Sequence, residues 1–209
     1  MEKWAELVLS WFRRNRRRFL WREYRDWYRV LVAEVMLVRT RSETAEKVYR
    51  RFLDRFRNPE DLCGSSEEEV AEFFRQLGLV NRAKRLREAV CTVLTRYGGT
   101  IPCSFRELVS LPGVGRYIAR VILTRVCGSP SPFIDANVLR FAGRFLGLED
   151  VGVDYVEKWL ERSVSREDLE DLNTALIDLA GLVCTPRNPK CGTCPVSALC
   201  SSRLSSTQP

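Results

Sequence analysis

The chain has 209 residues, of which 45% are apolar and 29% are charged, and its formal net charge is +7. This length and composition suit one domain or two small ones with a buried core, and they exclude a disordered or fibrous chain. The sequence contains no histidine. Ser-His-Asp and Cys-His catalysis, histidine general bases and zinc sites with imidazole ligands are therefore excluded.

The positive charge lies mainly near the N-terminus and is carried by arginine. Residues 1–57 contain 16 Lys/Arg and 8 Asp/Glu, and arginine outnumbers lysine 29 to 5 in the whole chain. Guanidinium groups bind phosphate oxygens in pairs and stack on bases, so this pattern favours a nucleic-acid partner, with a surface tuned for solubility or heat tolerance as the alternative. No apolar run reaches the roughly 20 residues of a membrane span, and the apolar-then-basic start is the reverse of a secretory signal. We therefore expect a cytoplasmic protein without disulfides.

Apolar residues recur at helical spacing, and strand-like alternation is almost absent. Ser65 or Ser66 ahead of three glutamates, and Ser104 with Glu107 three residues later, are signals for the start of a helix. The sequence predicts an all-α protein of roughly ten short helices. The clearest apolar stripes are Trp4, Leu7, Val8, Trp11; then Val48, Phe52, Phe56; and then Leu172, Leu176, Leu179, Val183.

Glu34 is a carboxylate in an apolar helical segment. Its neighbours three and four residues away are Val30, Leu31, Leu37 and Val38. An unpaired buried carboxylate costs several kcal/mol or takes up a proton, so such a group usually has a function. The alternative is a structural ion pair with one of the arginines.

The segment Leu111-Pro112-Gly113-Val114-Gly115 lies between two apolar helical segments. Two glycines one residue apart permit a tight turn, and the turn with the next helix N-terminus can form a nest of N–H donors for an anion. An ordinary turn between helices is the alternative. The pattern is a fair match to a helix–hairpin–helix, which binds the DNA backbone without reading its sequence.

Asp135 follows Pro132-Phe133-Ile134 and precedes another apolar helical segment. This position predicts a helix N-cap. Capping alone would explain the residue, but an aspartate held at a helix start is also fixed in direction, as a catalytic carboxylate must be.

The eight cysteines fall into two groups. Four of them are scattered in or beside apolar segments and are predicted to be small buried hydrophobes: Cys63, Cys91, Cys103 and Cys127. The others stand close together in a loop rich in proline and glycine, a pattern that predicts a metal centre: Cys184, Cys191, Cys194 and Cys200. Without histidine, the choice is between a Cys₄ zinc site and a [4Fe–4S] cluster, and the single CxxC turn favours iron–sulfur modestly.

The hairpin, the downstream Asp135 and the four clustered cysteines occur together and in this order. The combination resembles the endonuclease III / MutY superfamily of DNA base-excision glycosylases, over roughly Trp21 to Cys200. The resemblance implies an all-α, two-lobed helix-hairpin-helix DNA glycosylase fold with a DNA-binding cleft and a C-terminal [4Fe–4S] cluster loop. Residues 26–128 would form a helical barrel lobe, and residues 1–25 plus 129–209 would form the iron–sulfur lobe.

The resemblance also implies residue roles. Asp135 would stabilise the oxocarbenium-like sugar and orient or deprotonate water, while Glu34 would hydrogen-bond or protonate the departing base. Tyr117 would pack near the sugar and base. Four cysteines would bind the [4Fe–4S] cluster: Cys184, Cys191, Cys194 and Cys200. The expected DNA contacts are Arg39, Thr40, Asn81, Arg82, Gly113, Gly115 and Arg116.

The subtype depends on a few positions. In endonuclease III-like enzymes a lysine that forms a Schiff base follows Gly-Val-Gly-Arg116, but here Tyr117 stands there, and tyrosine cannot form an imine. Glu34 matches the glutamate of MutY-like adenine glycosylases. The sequence ends nine residues after Cys200, so we do not expect their C-terminal 8-oxoguanine-reading domain. The combination of Glu34, Tyr117, Asp135 and a short C-terminal segment is most similar to archaeal mismatch-specific thymine/uracil glycosylases.

The expected activity is removal of thymine or uracil opposite guanine in double-stranded DNA, without Schiff-base lyase chemistry. The resemblance implies a nucleoid-associated monomer with no membrane partner, followed by a separate abasic-site endonuclease. Two alternatives stay open. One is a glycosylase of the same fold for adenine or an oxidised base, and the other is a non-catalytic iron–sulfur DNA-binding or electron-relay protein.

Overall fold

The computed structural model describes residues 1–38 and 40–205, and every regular element in this part of the chain is helical. The predicted all-α class is confirmed. No helix among these residues combines the length and apolarity needed to cross a bilayer. The described helices are α1 (Lys3–Asn15), α2 (Trp27–Leu37), α3 (Ser42–Arg55), α4 (Pro59–Gly64), α5 (Glu67–Arg75), α6 (Val80–Arg96), α7 (Phe105–Leu108), α8 (Arg116–Arg125), α9 (Ala136–Leu146), α10 (Val153–Ser163), α11 (Leu169–Leu182) and α12 (Ser201–Ser205).

The helices form two compact units, residues 18–129 and residues 1–17 with 130–209. The predicted lobes instead assign residues 18–25 and residue 129 to the iron–sulfur lobe. In the structure the N–H of Leu20 donates to a Glu46 carboxylate oxygen at 3.1 Å, and Trp21 meets the Tyr49 ring edge-on. These contacts join 18–25 to the larger continuous unit, and apolar spacing cannot reveal them because Glu46 is 26 residues further along the chain. The division into two functional lobes stays a prediction.

In unit 18–129, α2 is buried along almost its whole length, and it packs against α3, α6 and α8. A helix that is apolar all round belongs in a core rather than at a surface. The long α6 also packs against α4 and α5. The predicted stripe of Val48, Phe52 and Phe56 is confirmed, because all three side chains are buried.

Two disulfides cross-link this unit, and the expectation of a protein without disulfides is wrong. Cys63 pairs with Cys91, and Cys103 pairs with Cys127, with Cα–Cα distances of 5.2 and 5.7 Å. The four residues are half-buried or exposed, so the prediction of buried hydrophobes is also wrong. The prediction rested on the expected cytoplasmic location and not on the fold. It could not detect the pairing, because helix packing brings together cysteines that are 28 and 24 residues apart. Loop closure of this length contributes roughly 3–4 kcal/mol per bridge.

In the other unit, α11 packs against α1 and α9. The predicted α11 stripe is confirmed, since Leu172, Leu176, Leu179 and Val183 are all buried. The prediction for α1 is partly wrong, because α1 buries Leu9 and Phe12 while Leu7 is 36% exposed. An ion pair between the half-buried Arg17 and the fully buried Asp178, at 2.7 Å, fixes the segment after α1 on α11.

Candidate active site

Asp135 is the N-cap of α9, as predicted, and both of its carboxylate oxygens accept hydrogen bonds. Oδ1 accepts the Val138 N–H at 2.8 Å, and Oδ2 accepts from the Asn137 amide at 2.6 Å. The buried Asn173 fixes the approach to the helix, because its side-chain oxygen accepts the Phe133 N–H at 3.2 Å. An ionised carboxylate offers about four acceptor sites. The half-buried Asp135 is therefore fixed in direction and keeps acceptor capacity for a substrate.

A chain of hydrogen bonds connects Asp135 with the first clustered cysteine. Arg140 donates to the Asn137 side-chain oxygen at 3.0 Å. The same guanidinium donates to the main-chain oxygens of Cys184 at 3.1 Å and Ala180 at 3.0 Å. Burial lowers the pKa of Arg140 below its usual value, whereas the charges of Cys184 and Asp135 act in the opposite direction. Arg140 thus ties the start of α9 both to α11 and to the cysteine loop.

The four clustered cysteines line one cavity of about 250 Å³. None of them forms a disulfide. No three Cys, Asp or Glu side chains within residues 1–38 and 40–205 converge closely enough to hold a single metal ion. Zinc would draw all four sulfurs to about 2.3 Å from one ion. Sulfurs that surround a cavity without meeting at a point fit a cluster of several metal atoms better than zinc. The residues that would hold such a cluster are Cys184, Cys191, Cys194 and Cys200.

Arg144, one turn after Arg140, holds the loop from the helix side. Its guanidinium donates to the main-chain oxygens of Thr185 at 2.7 Å and Pro186 at 2.9 Å, and lies 3.5 Å from the Cys184 Sγ. Burial raises the pKa of the Cys194 thiol to about 11. Because a thiol must lose its proton to bind iron, cluster binding and deprotonation are coupled at this residue.

Glu34 lies in α2, in the other unit, and it is 5% exposed. Val30, Leu31 and Val35 around it are buried as well. The predicted burial of this carboxylate in an apolar setting is confirmed, and its chemical role stays a prediction.

The predicted helix–hairpin–helix is present, with the turn 111–115 joining α7 to α8. The Val114 N–H donates to the Leu111 oxygen at 3.1 Å and closes the turn. Gly113 has φ +75°, and a Cβ there would lie 3.0 Å from the Arg85 Cβ, so both the conformation and the close approach favour glycine. Gly115 is the N-cap residue of α8, and because glycine has no side chain it leaves the first amides of the helix uncapped. Amides in the first turn of a helix have no intrahelical acceptor and suit an anion.

The other residues predicted to contact DNA lie at helix starts in the same unit. Thr40 directly precedes the α3 cap and is half-buried, while Asn81 is exposed and Arg82 half-buried in the first turn of α6. Arg116 is exposed and Tyr117 half-buried in the first turn of α8. Arg39 lies outside the described residues. Since α2 packs against α3, α6 and α8, the elements that carry these residues meet around the helix of Glu34. Asp135 belongs to the other unit.

Sequence reasoning missed the residues that support Asp135. Asn137, Arg140 and Arg144 follow it on α9, and Asn173 is fully buried on α11. A signal was available for the arginines, because positions 140 and 144 share a helix face. Arg140 reaches Asn137 locally, but the main-chain oxygens that the two arginines bind lie 40 to 44 residues away, and no local pattern encodes those bonds.

Residues 32–166 match the family model described as HhH-GPD superfamily base excision DNA repair protein. The chain belongs to this superfamily. Residues 184–200, bounded by the first and last clustered cysteines, match the iron-sulfur binding domain of endonuclease III. As an HhH-GPD protein, the chain is a DNA glycosylase of base excision repair that acts on DNA and hydrolyses N-glycosidic bonds. The separate match of its cysteine loop to the iron-sulfur binding domain shows that it carries a [4Fe–4S] cluster. This agrees with the activity class and cofactor that the sequence resemblance implied.

Curated relatives align along nearly the whole chain. The chain is 33% identical to the thymine/uracil-DNA glycosylase of Methanothermobacter thermautotrophicus, with 93% of this chain and 90% of that protein covered. It is 37% identical to the thymine-DNA glycosylase of Aeropyrum pernix, with 92% and 91% covered.

Two solved structures are also similar to this chain in fold. One is a thermostable thymine-DNA glycosylase, with a TM-score of 0.88, 31% identity, and 96% of this chain and 95% of that chain covered. The other is an endonuclease III–DNA covalent intermediate, with a TM-score of 0.86, 25% identity, and 98% and 95% covered.

Asn137→Ala is expected to slow base release roughly ten- to a hundredfold, because a hydrogen bond to a charged group contributes about 1.5–3 kcal/mol. The variant removes the donor to Asp135 Oδ2 and the acceptor of Arg140. Single-turnover rates of the HhH-GPD protein would measure the effect. The matched control is Asn15→Ala, because Asn15 is an exposed asparagine in the same unit and its side-chain amide donates to the Trp11 main-chain oxygen. Equal rates for both variants would contradict the supporting role of Asn137.

Proposed function

We propose that this HhH-GPD protein removes thymine or uracil mispaired with guanine from double-stranded DNA, by hydrolysis and without a Schiff-base lyase step. The observation that carries the choice of base is the whole-length similarity to curated thymine and thymine/uracil glycosylases, each about nine-tenths covered. Adenine glycosylases are also similar, at 28–30% identity for three Buchnera proteins and 33% for the human one, against 33–37% for the thymine and thymine/uracil glycosylases.

The absence of lyase chemistry is argued from Tyr117. This residue lies half-buried in the first turn of α8, directly after the hairpin. A phenol cannot attack the sugar carbon to form an imine as a lysine amine does. The base would therefore leave by attack of water, and the strand would stay intact at an abasic site.

DNA binding in this proposal begins at the hairpin. Amides around Gly113 and Gly115 would bind backbone phosphates, and Arg116 would add a charge. The target pyrimidine would then leave the stack, which costs a few kcal/mol and least at a mismatch. Residues near Arg39, Thr40, Asn81 and Arg82 would fill the gap and contact the opposite guanine.

The two carboxylates would act on opposite ends of the bond that breaks. Asp135, held by Val138 and Asn137, would stabilise positive charge on the sugar and orient or deprotonate water. Glu34, in its apolar surroundings, would hydrogen-bond or protonate the departing base, which requires the protonated form of its carboxyl group. Tyr117 would shape the pocket beside the sugar and base.

The cluster is assigned to Cys184, Cys191, Cys194 and Cys200. When bound, it would cross-link a loop that is otherwise short of regular structure. Arg187 and Lys190, both exposed on this loop, would then face DNA phosphates in a fixed arrangement.

The product of this reaction is an abasic site in an uncut strand, so a separate abasic-site endonuclease must act next. We further propose that the protein works as a monomer at the chromosomal DNA in the cytoplasm. Sedimentation of the free protein and of its complex with one duplex would test the monomer.

A panel of duplexes, each with one target pair, tests the choice of base. The pairs are G/T, G/U, A/G, adenine opposite 8-oxoguanine, an oxidised pyrimidine, and an undamaged control. We expect product from G/T and G/U only, and we expect strand breaks only after alkali opens the abasic site. Release of adenine or of the oxidised base would contradict the proposed substrate. Strand breaks without alkali, above those of a duplex with a preformed abasic site incubated without enzyme, would contradict the absence of lyase activity.

A further inference from the structure

The Cys103–Cys127 disulfide joins the two open ends of the helix–hairpin–helix. Cys103 comes directly before the α7 cap Ser104, and Cys127 comes directly after the α8 cap Val126. The covalent loop closed by this bond therefore contains α7, the turn 111–115 and α8, and little else. A bond at this position fixes the separation of the two helices at the end opposite to the hairpin.

Helix α7 is very short, and it packs against α8. It has four residues, and Leu108 is its only buried residue. A single helical turn is marginal on its own, because nucleation fixes several dihedrals for one hydrogen bond. Its contacts with α8 include the Arg120 guanidinium, which lies 4.9 Å from the centre of the Phe105 ring.

The shape of the hairpin depends on the positions of both helices. The Leu111 N–H donates to the Leu108 oxygen of α7, and the Ala119 N–H of α8 donates to the Gly115 oxygen, at 3.1 and 3.0 Å. A shift of α7 against α8 would therefore be transmitted through Leu108 and Gly115 to the amides between them. Rigid presentation of donors reduces the ordering cost of binding.

We propose that the Cys103–Cys127 disulfide is a positioning element for DNA binding: it holds the hairpin in its binding shape, so that opening it weakens affinity for DNA more than it slows base release. This rests on the proposal that the hairpin binds the DNA backbone. Cys103 is exposed, so reductants in solution can reach the bond.

The same unit contains a matched control. Cys63–Cys91 links the end of α4 to α6 and closes a loop of similar length, 28 against 24 residues of separation. Loop closure by the two bonds should therefore stabilise the unit to a similar degree. Only Cys103–Cys127 encloses the hairpin.

The test compares Cys103→Ser/Cys127→Ser with Cys63→Ser/Cys91→Ser, below the unfolding temperature of both. Binding of an undamaged fluorescent duplex is measured by anisotropy, and base release is measured in single turnover at saturating enzyme. We expect Kd to rise about tenfold or more for the first variant and less than about twofold for the second, with release slowed less than about twofold in both. Equal changes in Kd, or none, would overturn the proposal.

Reduction provides a second measurement if the first variant does not fold. The Cys63→Ser/Cys91→Ser protein keeps one disulfide, so dithiothreitol opens Cys103–Cys127 alone, which maleimide labelling and mass spectrometry can verify. We expect affinity for the undamaged duplex to fall on reduction and to return on reoxidation, with the iron–sulfur absorbance unchanged. Constant affinity would overturn the proposal. Because these readouts use undamaged DNA, they hold even if no duplex in the panel loses a base.

Discussion

Asp135→Asn is expected to slow base release by about a thousandfold or more while DNA binding is retained. Asparagine is as good an N-cap as aspartate, so α9 still begins at this residue and the bond from the Val138 N–H is kept. The variant loses the negative charge that would face the positive sugar and the group that would accept a proton from water. Single-turnover base release and duplex affinity measure the two parts of this expectation.

Asp26→Asn is the matched control for this variant. Asp26 caps α2 in the same way, since its side chain accepts the Arg29 N–H at 3.0 Å. The same charge is thus removed from the same capping position at a helix start without an assigned catalytic role, although Asp26 also forms an ion pair with Arg29 at 3.2 Å. Turnover by Asp135→Asn at the wild-type rate, or equal loss in both variants, would contradict the catalytic assignment of Asp135.

Glu34→Gln is expected to slow base release by about a hundredfold or more, because glutamine keeps the shape of the side chain but cannot give up a proton. The loss should be smallest for the base that departs most readily as an anion, so the rates on G/U and G/T should separate further in the variant. Single-turnover rates on both duplexes would measure this, and thermal unfolding would verify that the variant is folded.

Glu157→Gln provides the comparison for Glu34→Gln. Glu157 is also a buried glutamate, at 7% exposure, but it lies on α10 and has no assigned role in catalysis. Retained activity in Glu34→Gln would show that Glu34 only supports the structure. Similar losses in both variants would attribute the effect to disturbance of the core.

The fold was predictable where local chemistry decides the structure. Ser66 caps α5 through the Glu69 N–H at 3.2 Å, as the three following glutamates indicated. Ser104 has a similar sequence signal, but its side chain makes no capping bond and the Leu108 N–H pairs with its main-chain oxygen instead. The sequence signal therefore identified the start of α7 correctly. It did not predict that the Ser104 side chain makes no capping hydrogen bond in a helix of only one turn.

The candidate catalytic residues could be predicted from the sequence, but the long-range contacts that hold them in place could not. Burial of Glu34 and capping by Asp135 follow from neighbours within four residues, where periodicity is informative. The bonds from Arg140 to Ala180 and Cys184, and the two disulfides, join residues 24 to 44 positions apart. Such pairs depend on how the helices pack, and a single sequence does not encode that packing locally.

The two kinds of sulfur chemistry also limit how the protein can be handled. Disulfides cross-link residues 18–129, while the free thiols that would hold the cluster belong to the other unit. Strong reductants added to protect iron during purification would open the bridges, and air that preserves the bridges attacks the cluster. An intact preparation therefore requires an intermediate ambient potential, and both iron content and free-thiol count are needed to judge its quality.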